Sequence, residues 1–233
     1  MELYDQIPIE IIDENEYFVV VNKPENLNFH DEGEFDNGLF NRVKRQLSLN
    51  ELYPVHRLDK MTSGLVIFAK DLATAQRFQS LFSEHKVEKY YLAISDKKPK
   101  KKQGMIKGDM QKSRRGSWKL LRSTKSPAIS QFFSFSIDNG LRAFLVKPYT
   151  GKTHQIRVAL SSIGSPICGD TYYHSLDNTD RGYLHAYAIG FELNGQNYRY
   201  KKAPSNGALF LKDSFSQLME KINEPWSLNW PRL

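Results

Sequence analysis

The chain has 233 residues, of which 40% are apolar, and it carries 33 Lys and Arg against 26 Asp and Glu. This composition is typical of a globular protein and excludes a disordered chain. The single cysteine excludes an internal disulfide, and no apolar run reaches the roughly 18–20 residues that cross a bilayer. Because the acidic start also lacks the features of a signal peptide, we predict a cytoplasmic protein without a membrane segment.

The first half of the chain alternates β-rich runs with amphipathic helical segments. The patterns predict a strand over residues 17–22, a helix over 38–48, and strands over 64–69 and 90–94. A further helix is expected between the last two strands, from an N-cap at Asp71 to about His85.

The second half is dominated by hairpins. Residues 96–118 are basic and contain glycine, so we expect a loop or the tip of a long hairpin there. Strands are predicted over 128–137 and 141–148, joined at Asn139-Gly140, and near 183–193 and 198–201, joined at Asn194-Gly195. A short helix is expected over 153–163, with Gly164 as its stop. Because the strands arrive in hairpins, the predicted fold class is α+β with a largely antiparallel sheet.

Positive charge is concentrated in one stretch. The net charge is +7 and the pI is about 9.3, and the segment from residue 97 to 125 contains twelve basic residues against one acid, Asp109. Clustered charge of this sign indicates a polyanion partner such as nucleic acid. A solvated surface loop explains the same stretch equally well at this point.

Several familiar chemistries are excluded by missing residues. Residues 151–153 (GKT) resemble the end of a phosphate-binding loop, but Val146 replaces the glycine that this motif needs. Residues 62–64 (TSG) resemble a nucleophile elbow, but Met61 stands where the first glycine is required. The six histidines and one cysteine have no zinc-ligand spacing, and no dinucleotide-binding glycine fingerprint is present. No metal and no cofactor are therefore expected.

Three polar clusters remain once these motifs are set aside. They lie at residues 56–64 (HRLDKMTSG), 89–93 (KYYLA) and 150–157 (TGKTHQIR). Together they supply a carboxylate, an aromatic face and a guanidinium on a first helical turn. The residue types leave three roles open for Asp59, which are nucleophile, general base and turn former. Arg157 is also compatible with a structural ion pair, and Tyr91 with an ordinary strand core.

These clusters resemble the signature elements of the RluA-type pseudouridine synthases. HRLDKMTSG matches the family's HRLDxxTSG at every specified position, and KYYLA and GKTHQIR match its KxYxA and G(R/K)THQIR elements. The segments VNKP at 21–24, PICGD at 166–170 and LHA at 184–186 follow other family blocks in the same order. The resemblance departs from the family pattern at Asn26, Ala159 and Ser165, and none of these removes a predicted catalytic group.

The resemblance implies a single pseudouridine synthase catalytic domain over residues 1–233, with its core at about 9–205 and no separate N-terminal RNA-binding module. It implies the family's fold, a mixed, largely antiparallel central sheet flanked by helices and loops. It also implies a monomer.

The activity that the resemblance implies is the isomerisation of a specific uridine in rRNA or tRNA to pseudouridine, after the base has been flipped out of its stack. The catalytic residues would be Asp59 as the carboxylate, Tyr91 as the stacking ring, and Arg157 as the cation beside Asp59, on a helix capped by Thr153. The residues expected to bind substrate and RNA are His56, Arg57, Ile156, Thr62, Lys112, Arg114 and Arg115, of which the last three would hold phosphates. A structural hydrogen bond is an equally good interpretation of His56.

Two other classes remain open. One is a catalytically inactive RNA-binding protein with the same fold, and the other is a hydrolase of RNA or nucleosides that uses Asp59. The combination of Asp59, Tyr91 and Arg157 argues against a binder, which needs phosphate contacts and not these three groups. The missing cluster of metal-binding carboxylates disfavours a nuclease.

Overall fold

The structure is a computed structural model, and it describes residues 8–31, 37–174 and 178–232. The strands are β1 Glu10–Glu14, β2 Phe18–Lys23, β3 Tyr53–Pro54, β4 Ser63–Ala69, β5 Glu88–Ser95, β6 Gln103–Gly108, β7 Met110–Lys112, β8 Trp118–Leu120, β9 Ala128–Ser136, β10 Arg142–Pro148, β11 Leu184–Leu193 and β12 Gln196–Lys201. The helices are α1 Leu39–Gln46, α2 Leu72–Ser83, α3 Gln155–Ser162 and α4 Asp213–Lys221. Among these described helices, none combines the length and the apolar character that crossing a membrane requires.

Ten of the described strands form one mixed sheet. Eight of them follow the order β1-β2-β4-β11-β5-β10-β9-β6, while β3 pairs with β4 and β12 pairs with β11. Within the described ranges the pairs are antiparallel, apart from a short parallel pairing of β4 with β11 through Ser63 with His185 and Gly64 with Ala186. This pairing brings the segment that precedes β4 to the middle of the sheet.

Apolar side chains cover both faces of the central strands. Val19 of β2 and Val66 of β4 belong to a cluster with Leu39 of α1. Their neighbours along each strand, Phe18 and Leu65, belong to a second cluster with α2. Successive residues of a strand point to opposite faces of the sheet, and both faces of these strands are buried. The strands are therefore continuous apolar runs in the sequence.

The local signals of the sequence are confirmed where they depend on one residue. The Asp71 carboxylate accepts a hydrogen bond from the Thr74 amide at 2.7 Å and caps α2. Asn139 and Asn194 have positive φ angles, of 56° and 54°, in the two predicted hairpin turns. Gly164, with φ of 79°, ends α3. The predicted α+β class with a largely antiparallel sheet is also confirmed.

The prediction of a loop or hairpin tip over residues 96–118 is wrong in part. Residues 103–108 form β6 at the edge of the large sheet, paired with β9, and β7 and β8 form a separate two-stranded sheet. Lysines and glycines interrupt the apolar pattern of this segment, and an exposed edge strand needs little apolar surface. The sequence analysis also failed to indicate β1, which pairs with the next strand β2, and α4, whose buried Phe215 and Leu218 pack in a cluster formed mainly by distant strands.

Gly64 marks the closest approach between β4 and β11. Its φ is 112°, and a Cβ atom built on it would lie 2.3 Å from the carbonyl oxygen of Ala186. A side chain at this position therefore meets backbone that cannot move without opening the sheet. The glycine of the TSG signature is thus required by the parallel pairing of the two strands.

We expect Gly64→Ala to lower the free energy of unfolding by about 3 kcal/mol or more, because it adds a backbone clash to an unfavourable φ. Gly140→Ala is the matched control, since Gly140 also has a positive φ (76°) but nothing lies within 4 Å of its added Cβ. The control should cost about 1–2 kcal/mol. Urea denaturation of both variants measures the difference, and similar losses would contradict the proposed clash.

Candidate active site

A cavity of about 680 Å³ lies between the segment that precedes β4 and the segment that leads into α3. The structure brings most of the predicted site residues into its wall. The lining includes His56, Arg57, Asp59, Thr62, Tyr91, Ile156 and Arg157. These residues come from the three polar clusters, so the tertiary structure joins segments that are about 30 to 100 residues apart in the chain. Lys112, Arg114 and Arg115 do not line the cavity.

Arg157 is the centre of an ion-pair network. Its Nε and Nη2 donate to the two carboxylate oxygens of Asp170, at 2.7 and 2.8 Å, and its Nη1 donates to Asp59 Oδ2 at 3.0 Å. The side chains of Arg157 and Asp170 are 4% and 0% exposed, whereas that of Asp59 is 25% exposed. Asp170 therefore anchors the guanidinium, which presents its remaining nitrogen to a carboxylate that solvent can reach.

Burial alone lowers the pKa of Arg157, but the hydrogen bonds and charge of Asp170, and then of Asp59, outweigh burial and raise it above its ordinary value. The guanidinium also lies 5.3 Å from the ring centroids of both Tyr172 and Tyr173. The arrangement thus holds a permanent positive charge in a fixed orientation beside the Asp59 carboxylate.

Lys23 fixes the backbone that carries Asp59. The Lys23 side chain is fully buried, and its Nζ donates to the carbonyl oxygens of Thr62 at 2.8 Å and of Lys60 and Pro24 at 3.0 Å. Burial lowers the pKa of Lys23 to about 7, although the charge of Asp59 works in the other direction. The Thr62 amide also donates to the Asp59 carbonyl oxygen at 3.0 Å, so this segment is a turn as well as part of the cavity wall.

A second polar chain holds the start of β4. The His185 Nε2 lies 2.8 Å from the Lys202 carbonyl oxygen, which can only accept, so this nitrogen carries the proton. The Ser63 hydroxyl then donates to His185 Nδ1 at 2.7 Å and accepts from Arg181 Nη2 at 2.6 Å. Burial lowers the pKa of His185 to about 4, which agrees with a neutral ring. These residues do not line the cavity, and their bonds hold the signature segment.

Tyr91 is half-buried and faces the cavity from β5. Burial, followed by the negative charge of Asp59, raises the pKa of its hydroxyl above the ordinary value. The phenol is therefore neutral at physiological pH and offers a flat ring beside the carboxylate. An aromatic ring in this position suits the stacking of a planar base.

The first turn of α3 differs from the sequence-based expectation that Thr153 caps it. The N-cap residue is His154, which has a left-handed backbone with φ of 56° and makes no side-chain capping bond. The Gln155 side chain organises the turn instead, because its Oε1 accepts from the Thr150 hydroxyl at 2.6 Å and from the Lys152 amide at 3.0 Å. The first residue of the helix therefore binds back to the amide three residues earlier, as the glutamine of a capping box does.

His56, Arg57 and Thr62 have different environments. The Nε2 of His56 accepts a hydrogen bond from the Ile67 amide at 3.0 Å, and burial, followed by the charge of Lys89, lowers its pKa to about 3. This contact matches the structural interpretation of His56. Arg57 is exposed at the mouth of the cavity, and Thr62 is 2% exposed.

The predicted phosphate-binding residues lie on the two-stranded sheet beside α3. Lys112, Arg114 and Arg115 are exposed on this sheet and in its turn. The sheet is tied to the site through Tyr173, whose hydroxyl accepts from the Trp118 amide at 2.8 Å and lies 2.9 Å from His154 Nδ1. The basic surface is therefore held next to the cavity.

Asp109, the single acid of the basic stretch, forms hydrogen bonds to the backbone of a nearby loop. Its carboxylate accepts from the backbone amides of Lys125 and Ser126 at 3.0 and 2.8 Å. The side-chain hydrogen bond of Ser123 is the largest cause of a lowered pKa at this carboxyl. In the described part of the chain, no group of three or more His, Cys, Asp or Glu side chains is placed to hold a metal ion.

Sequence reasoning missed the residues that support the site. Lys23, Asp170 and His185 fell within the family blocks VNKP, PICGD and LHA, which marked the positions without indicating their partners. The departure at Asn26 has a simple explanation, because this residue has φ of 59°, a conformation that asparagine tolerates better than most residues other than glycine.

We expect Asp170→Ala to lower the free energy of unfolding by about 3–5 kcal/mol, because it leaves the buried Arg157 charge without its main partner. Asp59→Ala should cost less than about 1 kcal/mol, since the carboxylate is partly solvated and Arg157 keeps Asp170. Chemical denaturation measures both values. A loss for Asp59→Ala as large as that for Asp170→Ala would argue against Asp170 as the anchor.

Comparisons with known proteins agree in one family. The sequence profile described as RNA pseudouridylate synthase matches residues 17–162. The chain is 44% identical over 220 residues to an uncharacterized RNA pseudouridine synthase of Haemophilus influenzae. The alignment covers 94% of this chain and 98% of that protein. It is 27% identical over 226 residues to the ribosomal large subunit pseudouridine synthase D of Borreliella burgdorferi, covering 90% and 75% of the two chains. The fold is similar to that of human RNA pseudouridylate synthase domain containing 1, with a TM-score of 0.75 at 22% identity, over 96% of this chain and 97% of the human one.

Proposed function

Because the chain belongs to the RNA pseudouridylate synthase family, whose members are isomerases acting on RNA, we propose that it isomerises a specific uridine with Asp59 as the catalytic carboxylate. The observation that carries this proposal is the contact between Asp59 and the anchored Arg157, in a cavity that solvent reaches. A pair of opposite charges about 4 Å apart contributes about 4 kcal/mol at an effective dielectric of 20, before desolvation costs.

The reaction exchanges one bond to the ribose for another. The bond between C1′ and N1 breaks, the uracil turns, a bond forms between C1′ and C5, and the C5 proton is released while N1 gains one. Attack on C1′, attack on C6 and abstraction of a ribose proton all use a charged carboxylate beside the nucleoside, which is the role proposed for Asp59. The neighbouring guanidinium is already oriented, so no reorganisation is needed as charge moves.

The cavity residues have complementary roles in binding the flipped uridine. Tyr91 would stack on the base, which is worth about 1–3 kcal/mol and offsets part of the cost of unstacking it from RNA. Ile156 is 7% exposed and would pack on the other side of the base. Arg57 is exposed at the mouth, from where it would enter the gap that the base leaves in the RNA. Thr62 would close the wall behind Asp59.

The basic two-stranded sheet supports a structured RNA as the partner. We propose ribosomal RNA as the first substrate to test, because the relative from Borreliella burgdorferi is named for the large ribosomal subunit, with transfer RNA as the alternative. Lys112, Arg114 and Arg115 would hold phosphates, a contribution that does not depend on sequence. We further propose that the protein acts as a monomer in the cytoplasm.

Release of tritium from RNA labelled at C5 of uridine tests the reaction directly, because isomerisation removes that atom whereas binding and strand cleavage do not. With RNA from cells that lack the gene, the wild-type protein should release tritium, and Asp59→Asn should reduce the rate at least about 100-fold while keeping RNA affinity. Asp213→Asn, an exposed carboxyl at the start of α4, is the matched control and should remain active. A wild-type protein that binds RNA without releasing tritium would indicate an inactive RNA-binding protein.

RNA affinity should fall steeply as salt rises from about 50 to 200 mM, because phosphate contacts release counterions. Replacing Lys112, Arg114 and Arg115 together by alanine should weaken binding and reduce the slope of log K against log salt by about 2. The control variant replaces Lys44, Lys212 and Lys221 by alanine. These residues lie on or beside helices α1 and α4, and their replacement removes the same amount of positive charge. An equal change of slope in both triple variants would contradict a specific role of the two-stranded sheet.

A further inference from the structure

Lys89 is a cation of the cavity wall that the chemistry described above does not use. It lies two residues before Tyr91 on β5, so both side chains point to the same face of the strand, and both line the cavity with Asp59. Its Nζ lies 5.7 Å from the ring centroid of Phe82 and makes a long hydrogen bond of 3.5 Å to the Thr150 carbonyl oxygen. Neither contact neutralises the charge.

The charge of Lys89 is poorly compensated for its degree of burial. Among the residues that the structure describes, no carboxylate forms an ion pair with this ammonium. The adjacent Glu88 points to the other face of the strand, where it binds Lys147 at 2.6 Å. Burial accordingly lowers the pKa of Lys89 to about 8. Holding a desolvated cation without an anion is unfavourable, so an anion that arrives with the substrate would relieve the cost.

The loop opposite Lys89 leaves room for such an anion. Gly151 is exposed, and a Cβ atom built on it would lie 3.9 Å from the Lys89 Nζ. A larger side chain at this position would therefore fill the space in front of the ammonium. The glycine keeps open the side of Nζ that faces the loop between β10 and α3.

We propose that Lys89 binds a phosphate of the target nucleotide, one of the two that flank the flipped uridine. This inference rests on the proposed function, because it takes the cavity as the place where the uridine binds. An RNA nucleotide carries its phosphates within a few ångströms of the ribose, so a cation two residues from the base-stacking Tyr91 lies at a suitable position. Lys89 therefore differs from the exposed cations of the two-stranded sheet, since it acts on the extruded nucleotide and not on the surrounding RNA.

Mononucleotides test this subsite without knowledge of the natural RNA. The dissociation constants of uridine, uridine 5′-monophosphate and uridine 3′-monophosphate are measured by NMR titration of the wild-type protein and of Lys89→Met, Lys89→Arg and Lys221→Met. At least one monophosphate should bind the wild type about 10-fold more tightly than uridine, as a charge-assisted hydrogen bond predicts. Lys89→Met should abolish this preference, while Lys89→Arg and the exposed control Lys221→Met should retain it.

Two results would overturn the proposal. One is a wild-type protein that binds both monophosphates no better than uridine, and the other is a Lys89→Met variant that keeps the preference. A purely structural role, through Phe82 and Thr150, would weaken uridine and monophosphate binding equally and would leave their ratio unchanged. Tritium release by the wild type separates the two levels, because an active enzyme without the phosphate preference refutes the subsite alone, whereas an inactive protein refutes the proposed function.

Discussion

The site depends on the way Asp170 holds the Arg157 guanidinium. Two hydrogen bonds to one carboxylate fix the plane of the guanidinium, and the remaining nitrogen points at Asp59 from 3.0 Å. Asp170 is fully buried, so water does not compete with Arg157 for its carboxylate, and the carboxylate compensates the charge of the guanidinium. Asp59 can then remain partly exposed and still lie beside a cation of fixed orientation, which is the condition that the proposed chemistry requires.

The backbone that carries Asp59 is held by side chains that do not line the cavity. Lys23 binds the carbonyl oxygens of Lys60 and Thr62, and the chain from Arg181 through Ser63 to His185 fixes the start of β4. The signature segment is thus a turn that also lines the cavity, so a turn and the proposed catalytic role of Asp59 are compatible interpretations of its sequence. Burying the Lys23 ammonium is unfavourable in itself, but its hydrogen bonds to three carbonyl oxygens offset this cost.

Positive charge is arranged in three grades of burial around the cavity. The cations of the two-stranded sheet are exposed, so they act at long range and are screened by salt. Lys89 is half-buried without a carboxylate partner in the described residues, and Arg157 is buried with two such partners. Under the proposed function, the exposed cations would attract RNA phosphates in general, whereas Lys89 and Arg157 would act on a single nucleotide.

Features that depend on neighbouring residues could be predicted from the sequence, and these are the Asp71 cap, the two Asn-Gly turns, the central strands and the three polar clusters. The signature spacing also predicted site residues, of which seven line one cavity. The contacts between distant residues could not be predicted in this way. Arg157 and Asp59 are 98 residues apart, β4 pairs with β11 rather than with its successor in the chain, and the edge strand β6 carries no apolar pattern. Such contacts form because segments that are distant in the chain become buried against each other, so their charges and backbone groups must pair. Local propensity does not indicate which segments will come into contact.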